Sequence, residues 1–408
     1  MAPDETAQFD WLDAPHVRAV VAALEKARPG GARFVGGCVR DGLVGVAAKD
    51  IDIATQLRPQ QTMDALRSAG LRAEPTGFEH GTITAAVDGE GIEVTSLRAD
   101  VETDGRRAVV AFTDDWRRDA VRRDFTINAL YLTPDRRLFD PWGGVADLRA
   151  GRVRFIGAPD DRIREDYLRI LRFFRFSARF AAAGYDADGL EACARLAEGV
   201  ERLSKERIGQ EISRLLLGPR AGDALKRMAE AGVLARVHAD APDIDAAAGL
   251  MAAQPDAPLG YRLAALWPRA PAKGRDALAD DLRLSNADAA TRNAICGALD
   301  EIEAADVIDD ASARALAYRH GPDIAAGALR LAVVRQRIKV PHALLAALDG
   351  WTPPSFPLSG GDVTAAGVAP GPEVGEMLRR VERRWVAEGF PDAARVKAIL
   401  AEELPRRR

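Results

Sequence analysis

Phe34-Val35-Gly36-Gly37-Cys38-Val39-Arg40-Asp41, followed by Asp50-Ile51-Asp52-Ile53-Ala54-Thr55, is the stretch on which the reading of this 408-residue chain turns. Its first half reads as a strand, a double glycine and a helix start. Glycines at such a turn let backbone N–H groups approach a ligand, and a helix N-terminus favours an anion. A plain tight turn would use the same residues. The second half alternates acid and apolar side chains. Successive strand residues face opposite ways, so Asp50 and Asp52 are expected to point together while Ile51 and Ile53 enter the core. Two carboxylates that close repel unless a cation lies between them. A hard divalent ion with oxygen ligands, Mg²⁺, suits the pair. Phosphoryl transfer uses such ions to activate a hydroxyl and to neutralise a leaving pyrophosphate. The alternative is a solvent-facing acidic strand edge. Glu93, in the alternating Ile92-Glu93-Val94-Thr95, supplies a third carboxylate if its strand lies beside the first, and is otherwise an exposed face residue.

Outward from this stretch, the first 150 residues are mixed α/β. Apolar spacing predicts a helix over 15–27 and a connecting helix over 60–68. Short apolar runs predict strands over 33–35, 51–54, 82–87 and 92–97, with Asp88-Gly89-Glu90-Gly91 as a hairpin turn. Residues 98–118 are polar and irregular, a candidate mobile loop. Beyond Gly157 the pattern is helical almost throughout, with breaks near Asn286 and over 351–361. No repeat or low-complexity tract occurs.

Hydrophobic residues make up 47% and charged residues 29%, an ordinary soluble balance. No apolar run of about eighteen residues marks a membrane span, and residues 1–11 lack the apolar region of a secretion signal. Three separated cysteines suit the cytoplasm better than a disulfide framework. Five scattered histidines without a His-Asp doublet exclude a His-Asp phosphohydrolase. The net charge of −4 points to no nucleic acid. Between Arg162 and Arg179, however, six arginines face two acids, Glu165 and Asp166. Such a stripe holds phosphates or forms a solvated helix face.

The two opening motifs together resemble the class II nucleotidyltransferases, the family of bacterial CCA-adding enzymes and bacterial poly(A) polymerases. Further motifs follow in the family's order. Arg122-Arg123-Asp124-Phe125-Thr126-Ile127-Asn128-Ala129-Leu130 is similar to its ribose-recognising motif. Asp140-Pro141-Trp142-Gly143-Gly144-Val145-Ala146-Asp147-Leu148 resembles its hinge segment. Glu165-Asp166-Tyr167-Leu168-Arg169 and the arginines after it resemble its base-selecting helix. The stretch from Ser204 to Ile212 resembles the next motif, read as structural support. Pro357-Leu358-Ser359-Gly360-Gly361-Asp362 carries a weaker likeness near the C-terminus.

The resemblance implies an α/β, polymerase-beta-like nucleotidyltransferase head with a small mixed sheet over 1–150. An elongated all-α region would follow: a base-selecting neck over 151–235, and a tRNA-binding body and tail over 236–350 and 351–408. Asp50 and Asp52 would bind Mg²⁺, with Glu93 a third catalytic acid. Gly36, Gly37 and Arg40 would contact the nucleotide phosphates, and Arg123 would hold the nucleotide. Asp124 and Asn128, four apart on one helix face, would read the 2′-hydroxyl; helix capping is their alternative. Asp166 and Arg169, three apart on a helix, offer acceptors and donors that match the pairing edges of C and A. The bland alternative is an intrahelical salt bridge. Arg172 and Arg175 would reach the triphosphate.

The resemblance implies template-independent addition of C, C and A to tRNA from CTP and ATP. Gly77-Phe78-Glu79-His80-Gly81-Thr82 resembles the CCA-adding branch. Asp104-Gly105-Arg106-Arg107 is similar to the flexible loop of full CCA enzymes, although Ala108 stands where proline is usual and no tyrosine precedes Asp104. An A-adding or CC-adding partial enzyme and a poly(A) polymerase are the alternatives. So is an idle RNA-binding protein, against which the intact Asp50/Asp52 pair argues.

Overall fold

The computed structural model describes residues 8–100, 110–269, 276–305, 308–335, 342–348 and 350–404. These form two compact units. One runs to Glu211 and includes 218–220 and 227–236; the other comprises 212–217, 221–226 and the chain from Val237.

The first unit is built on a seven-stranded mixed sheet. Helix α1 (Pro15–Ala27) starts on a proline and buries Val17, Val20 and Leu24 on one stripe. Strand β1 (Ala32–Val35) leads through Gly36 into helix α2 (Gly37–Leu43). Strand β2 (Asp52–Thr55), helix α3 (Pro59–Ser68) and strands β3 (Arg72–Gly77), β4 (Thr82–Val87) and β5 (Glu90–Ser96) follow. The β4–β5 turn is tighter than the sequence suggested. Val87 pairs with Glu90, leaving Asp88 and Gly89 as a two-residue loop, both with positive φ. Strand β3, which carries Pro75 and few large apolar residues, was not apparent from the sequence.

The candidate loop over 98–118 is partly regular. Strands β6 (Arg98–Asp100) and β7 (Val110–Phe112) pair as a ribbon, and helix α4 (Trp116–Val121) is capped by the Asp115 carboxylate. Asp104 to Ala108 lie outside the described residues. Strands β8 (Tyr131–Leu132) and β9 (Leu138–Phe139) then complete the order β3-β4-β5-β2-β1-β8-β9.

Alternation sorts the two faces of this sheet. Phe34, Ile53, Ile83, Ile92 and Val94 bury one face in a core that includes residues of α1 and α3. Val35 and Ala54 turn to the other face, against Trp116 and Tyr131. Asp52 is two residues from Ala54 and so shares that second face.

Helix α5 (Gly144–Arg149) is the predicted hinge segment. The Asp140 carboxylate accepts from the backbone N–H groups of Gly144 and Val145 at 2.8 and 2.9 Å, which starts the helix. Asp147, fully buried, accepts from the Thr126 hydroxyl at 2.7 Å and from Arg152 and Arg154. The 122–128 segment is thereby fastened to the start of the helical region.

That region opens with α6 (Pro159–Glu165), α7 (Leu168–Phe180), α8 (Ala187–Arg195), α9 (Lys205–Leu216) and α10 (Ala221–Glu230). Phe125, Phe155 and Phe173 pack together beneath α7, the last two stacked at 5.5 Å. Arg220 donates to the carbonyls of Ser177, Ala178 and Ala181, which satisfies the open C-terminus of α7.

The second unit is helical in its described residues. Arg262 is buried there and donates to the carbonyls of Ala257, Leu216 and Pro255. Near the C-terminus, Ser359 and Asp362 form a reciprocal cap at the N-terminus of one helix, Gly360–Ala365, and Trp385 lies in a separate core. Among the described residues no helix is long and apolar enough to cross a membrane.

The hinge gives the first prediction. A Cβ at Gly144 would stand 2.1 Å from the Thr126 carbonyl oxygen. Overpacking of this kind costs about 1–3 kcal/mol or more. Gly144→Ala should lower the urea midpoint of the first unit accordingly; an unchanged midpoint would mean that α5 is free to draw away from Thr126.

Candidate active site

A cavity of about 390 Å³ opens on the second face of the sheet. The head contributes Gly36, Gly37, Arg40, Asp52, Arg123, Asp124 and Asn128 to its lining. The stretch around α7 contributes Asp166, Arg169, Arg172, Arg175 and Phe176. It thus gathers every predicted site residue except Asp50 and Glu93. The second unit holds larger cavities of about 550 and 660 Å³. Volume does not choose between them; the chemistry of the lining does.

Asp52 is the first residue of β2 and pairs in parallel register with Glu93 of β5. The two strands therefore bring these carboxylates side by side. Asp50 precedes the strand and is exposed, outside the lining of the cavity. Ile51 still packs against the core and Ile53 is buried, as the alternation required. Burial, Glu93 and Asp50 together push the Asp52 carboxyl up to about 6, with Arg123 opposing them. A carboxylate set beside other acids carries charge that a cation would neutralise. Among the described residues no three His, Cys, Asp or Glu form a ready-made metal cage. An oxygen set of one or two carboxylates completed by substrate phosphates is the arrangement Mg²⁺ takes at phosphoryl-transfer sites. The residues present fit that arrangement.

Gly36, with φ +72°, lets the chain turn close beneath Arg123, whose Nη1 would lie 3.4 Å from a Cβ there. Arg123 is held by Asp119 at 3.3 Å and by the Tyr131 hydroxyl at 3.2 Å. Burial works against the Asp119 anion, but Arg123 and Arg122 outweigh it and hold Asp119 down at about 2. Arg40 is only 6% exposed. Its guanidinium meets Asp41 at 2.7 Å and the Asn128 Oδ1 at 2.5 Å, over the rings of Phe176 and Phe180. It is therefore a packed strut as well as a lining residue.

Asp124 and Asn128 come together, but not on a helix. Phe125 bridges to Phe155, and Thr126–Asn128 is a single 3₁₀ turn. The Asn128 amide donates to Asp124 Oδ1 at 2.9 Å, which also accepts from the Phe125 N–H at 2.8 Å. Asp124 Oδ2 accepts from Arg172 Nε at 2.7 Å and Nη2 at 2.6 Å. Burial opposes the Asp124 anion, yet Arg172 and Asn128 hold its carboxyl below the ordinary value. These contacts use the four lone-pair sites of the carboxylate. Asn128, with one contact at each end of its amide, keeps a donor and an acceptor for a ligand.

Asp166 and Arg169 also differ from the expected helical pair. Asp166 is extended, between α6 and α7. Its Oδ1 accepts from the Leu168 N–H at 3.1 Å and its Oδ2 from Arg207 at 2.7 Å. Arg169 instead donates to Glu165 at 2.7 Å and to the carbonyls of Arg162 and Arg122 at 2.8 and 2.9 Å. The salt bridge between the two that stood as the alternative reading is absent among these contacts, and both side chains line the cavity.

Sequence reasoning missed the groups that stand behind the lining. Glu211 of α9, 4% exposed, holds Arg175 at 2.5 Å and faces Arg172 at 3.7 Å. Its signal was available: with Ile208, Ile212 and Leu215 it falls on the apolar stripe, where an acid demands a buried cation. Phe176 supports Arg172 and Arg175 from beneath, with their guanidinium carbons 5.1 and 4.1 Å from its ring centre. Asp119 stands four positions before Arg123, a spacing that marks an acid–base pair, whereas no local pattern marks Tyr131 as a partner of Arg123.

Comparison with known proteins places this arrangement. Residues 32–154 match the family described as "Poly A polymerase head domain", and residues 186–247 that described as "Probable RNA and SrmB- binding site of polymerase A". Mouse "CCA tRNA nucleotidyltransferase 1, mitochondrial" is 35% identical over 375 residues, 88% of this chain and 83% of its own. The "CCA-adding enzyme" of Lacticaseibacillus paracasei is 30% identical over 407 residues, 96% of this chain and 98% of its own. This chain belongs to the CCA-adding nucleotidyltransferase family. A solved structure of the Bacillus stearothermophilus CCA-adding enzyme in complex with CTP is similar at a TM-score of 0.71 and 26% identity. The likeness covers 95% of this chain and 98% of that one. The α/β head and the helical region after it are thus the architecture of CCA-adding nucleotidyltransferases.

Asp52 gives a prediction in which the sign matters. Its folded value, about 6, lies above the ordinary aspartate value of 3.8. The folded chain then keeps a proton that the unfolded chain sheds, so stability falls as pH rises from about 4 to about 6. Above that window the penalty is complete; below it, absent. Without divalent cations, Asp52→Asn should be about 1–3 kcal/mol more stable than the parent at pH 7.5. The difference should vanish near pH 3.5. Denaturant unfolding at the two pH values reads it, and a variant less stable at pH 7.5 would contradict it.

Proposed function

We propose that this protein adds C, C and A to the 3′ end of tRNA, taking CTP and ATP as substrates and releasing pyrophosphate, as the names and complexes of its relatives suggest. The observation that carries the reading is the single cavity in which Asp52 shares a lining with Asn128, Asp166 and the arginines of α7. One lining thus holds groups suited to a metal, a ribose, a base and a triphosphate. In the reaction the RNA 3′-oxygen bonds to the α-phosphorus of the nucleotide while the bond to the β-phosphate oxygen breaks. The hydroxyl proton is lost, and pyrophosphate departs.

Asp52 and Asp50 would hold Mg²⁺, with Glu93 beside them. That ion, when bound, lowers the proton affinity of the attacking hydroxyl and neutralises the leaving group. Arg172 and Arg175, stacked on Phe176 and backed by Glu211, would face the triphosphate, and Arg123 would hold the nucleotide over the Gly36-Gly37 turn. Asn128 would take the 2′-hydroxyl while Asp124 fixes Asn128 in place. Asp166 would accept from the exocyclic amino group of C or A, and Arg169 would donate to the ring nitrogen. U and G present a carbonyl where that amino group stands and would leave the acceptor unmatched. The neck over 151–235 would carry base selection. The body over 236–350 and tail over 351–408 would bind the acceptor arm through backbone contacts and shape. Three buried, free cysteines support a cytoplasmic setting.

The direct test offers the purified protein tRNAs that end at the discriminator base, at C and at CC, with CTP and ATP. All three should be completed to CCA. Extension of only the first two to CC, or of only the last to CCA, would replace this reading with a partial enzyme. A run of adenylates would replace it with a poly(A) polymerase.

Two pairs of substitutions follow from the roles. Asp50→Ala and Asp52→Ala should each abolish incorporation of both CTP and ATP while leaving the fold intact; near-normal turnover in Mg²⁺ would refute the metal assignment. Asn128→Ala and Asp124→Ala should reduce the preference for CTP over dCTP by about ten- to a hundredfold, the worth of one charged or buried hydrogen bond. An unchanged CTP:dCTP ratio in both variants would remove these residues from ribose recognition.

A further inference from the structure

Asp166 is proposed above to read the base, yet its carboxylate is gripped from behind. Oδ1 accepts from the Leu168 N–H, a contact internal to the turn into α7. Oδ2 accepts from Arg207 on α9, forty-one positions along the chain but only 2.7 Å away in space. Each carboxylate oxygen carries two lone pairs. One on each oxygen is taken, and one on each is left for a ligand. Two contacts on different oxygens also fix the plane of the carboxylate, which a single contact would leave free to swing about its Cβ–Cγ bond.

The two contacts are not equivalent. The Leu168 N–H is backbone and travels with Asp166. Arg207 belongs to another helix, and its own start is anchored: the Arg207 N–H lies 3.4 Å from the Ser204 hydroxyl at the head of α9. The Arg207–Asp166 pair is also the half-exposed contact of the site, with side-chain exposures of 46% and 34%. It adds little to stability at such exposure, so its value lies in orientation. Arg169 is secured elsewhere, by Glu165 and two backbone carbonyls. Arg207 therefore bears on one half of the base-reading pair and not on the other.

We propose that Arg207 is a positioning residue for base selection: it orients the Asp166 carboxylate so that its open lone pairs accept from an exocyclic amino group. This rests on the reading of Asp166 as the base acceptor. Without Arg207 the carboxylate turns about its bond and meets a carbonyl-bearing base through water as readily as an amino-bearing one. Discrimination against UTP then falls, whereas contacts to the triphosphate, made by other arginines, persist. Lysine, with a single point charge and no planar fork, restores attraction but only part of the orientation.

The test measures kcat/KM for CTP and UTP on tRNA ending at the discriminator base, in the full-length protein with Mg²⁺. The variants are Arg207→Ala, Arg207→Lys, Asp166→Ala and the double Arg207→Ala/Asp166→Ala. Inhibition by inorganic tripolyphosphate, which has no base, reports on triphosphate binding. The CTP:UTP ratio should fall about tenfold in Arg207→Ala and less in Arg207→Lys. It should fall no further in the double variant than in Asp166→Ala, and tripolyphosphate inhibition should be unchanged. A ratio preserved in Arg207→Ala but lost in Asp166→Ala overturns the role of Arg207 and leaves the base reading standing. A ratio preserved in Asp166→Ala overturns the base reading and this inference with it. Additive losses in the double variant also overturn it, since Arg207 would then act apart from Asp166. If Arg207→Ala fails to fold, the ratio in Arg207→Lys decides: parent discrimination together with unchanged tripolyphosphate inhibition would overturn the proposal.

Discussion

The site depends on one buried anion. Asp124 is 7% exposed, and an isolated carboxylate at that depth would discard its charge. It stays ionised because Arg172 meets one oxygen while Asn128 and a backbone N–H meet the other. The partner arginine lies 48 residues away on α7. The contact therefore sets the distance between the sheet and the helix that line the cavity. From Asp124 the constraint runs both ways: through Asn128 to Arg40 and Asp41, and through Arg172 toward Glu211 and Arg175. Breaking such a pair costs more than an exposed one, because the surviving partner is left buried and unmatched.

Around that chain the electrostatics divide by task. Acids that hold other residues in place, Asp119 and Asp124, lie below their ordinary proton affinity because arginines surround them. Asp52 lies above its own, because burial and two other acids surround it and the opposing Arg123 is already engaged by Asp119. A carboxylate kept in unfavourable company is one that gains from a cation, while a matched carboxylate has nothing further to gain. The same division separates the arginines. Arg123 is packed against a ring and an acid of the head, and Arg40 against an acid of the head and two rings of α7, whereas Arg172 and Arg175 stack on Phe176 and share Glu211 of α9.

Arginine serves a second, purely structural purpose in this protein. Arg220 collects three carbonyls at the end of α7, and Arg262 collects three in the second unit. A planar fork with several N–H groups can satisfy carbonyls that a helix leaves open. An arginine count thus says little about nucleic-acid binding here, which agrees with the uninformative net charge.

The sequence by itself determined the local period and the chemistry. Alternation in Asp52-Ile53-Ala54 sorted the faces of β2, the apolar spacing of 15–27 made a helix, and the ordered motifs pointed to the family. These signals are legible because a side chain's direction follows from the residues beside it. Tertiary structure decided what depends on distant partners. Glu93 stands beside Asp52 only because β5 pairs in parallel with β2, across forty-one residues. The turn at Asp166 carries no glycine or proline to announce it. It coincides with Tyr167 resting on Gly199, where a Cβ would meet the ring at 1.8 Å, and with Arg207 drawing the carboxylate aside. The helix expected under Asp124 and Asn128 gave way to an isolated bridge with Phe155, because burying Phe125 among the other phenylalanines outweighed local helical spacing. Local periodicity encodes which face a residue occupies; only packing and charge pairing at long range decide which faces meet.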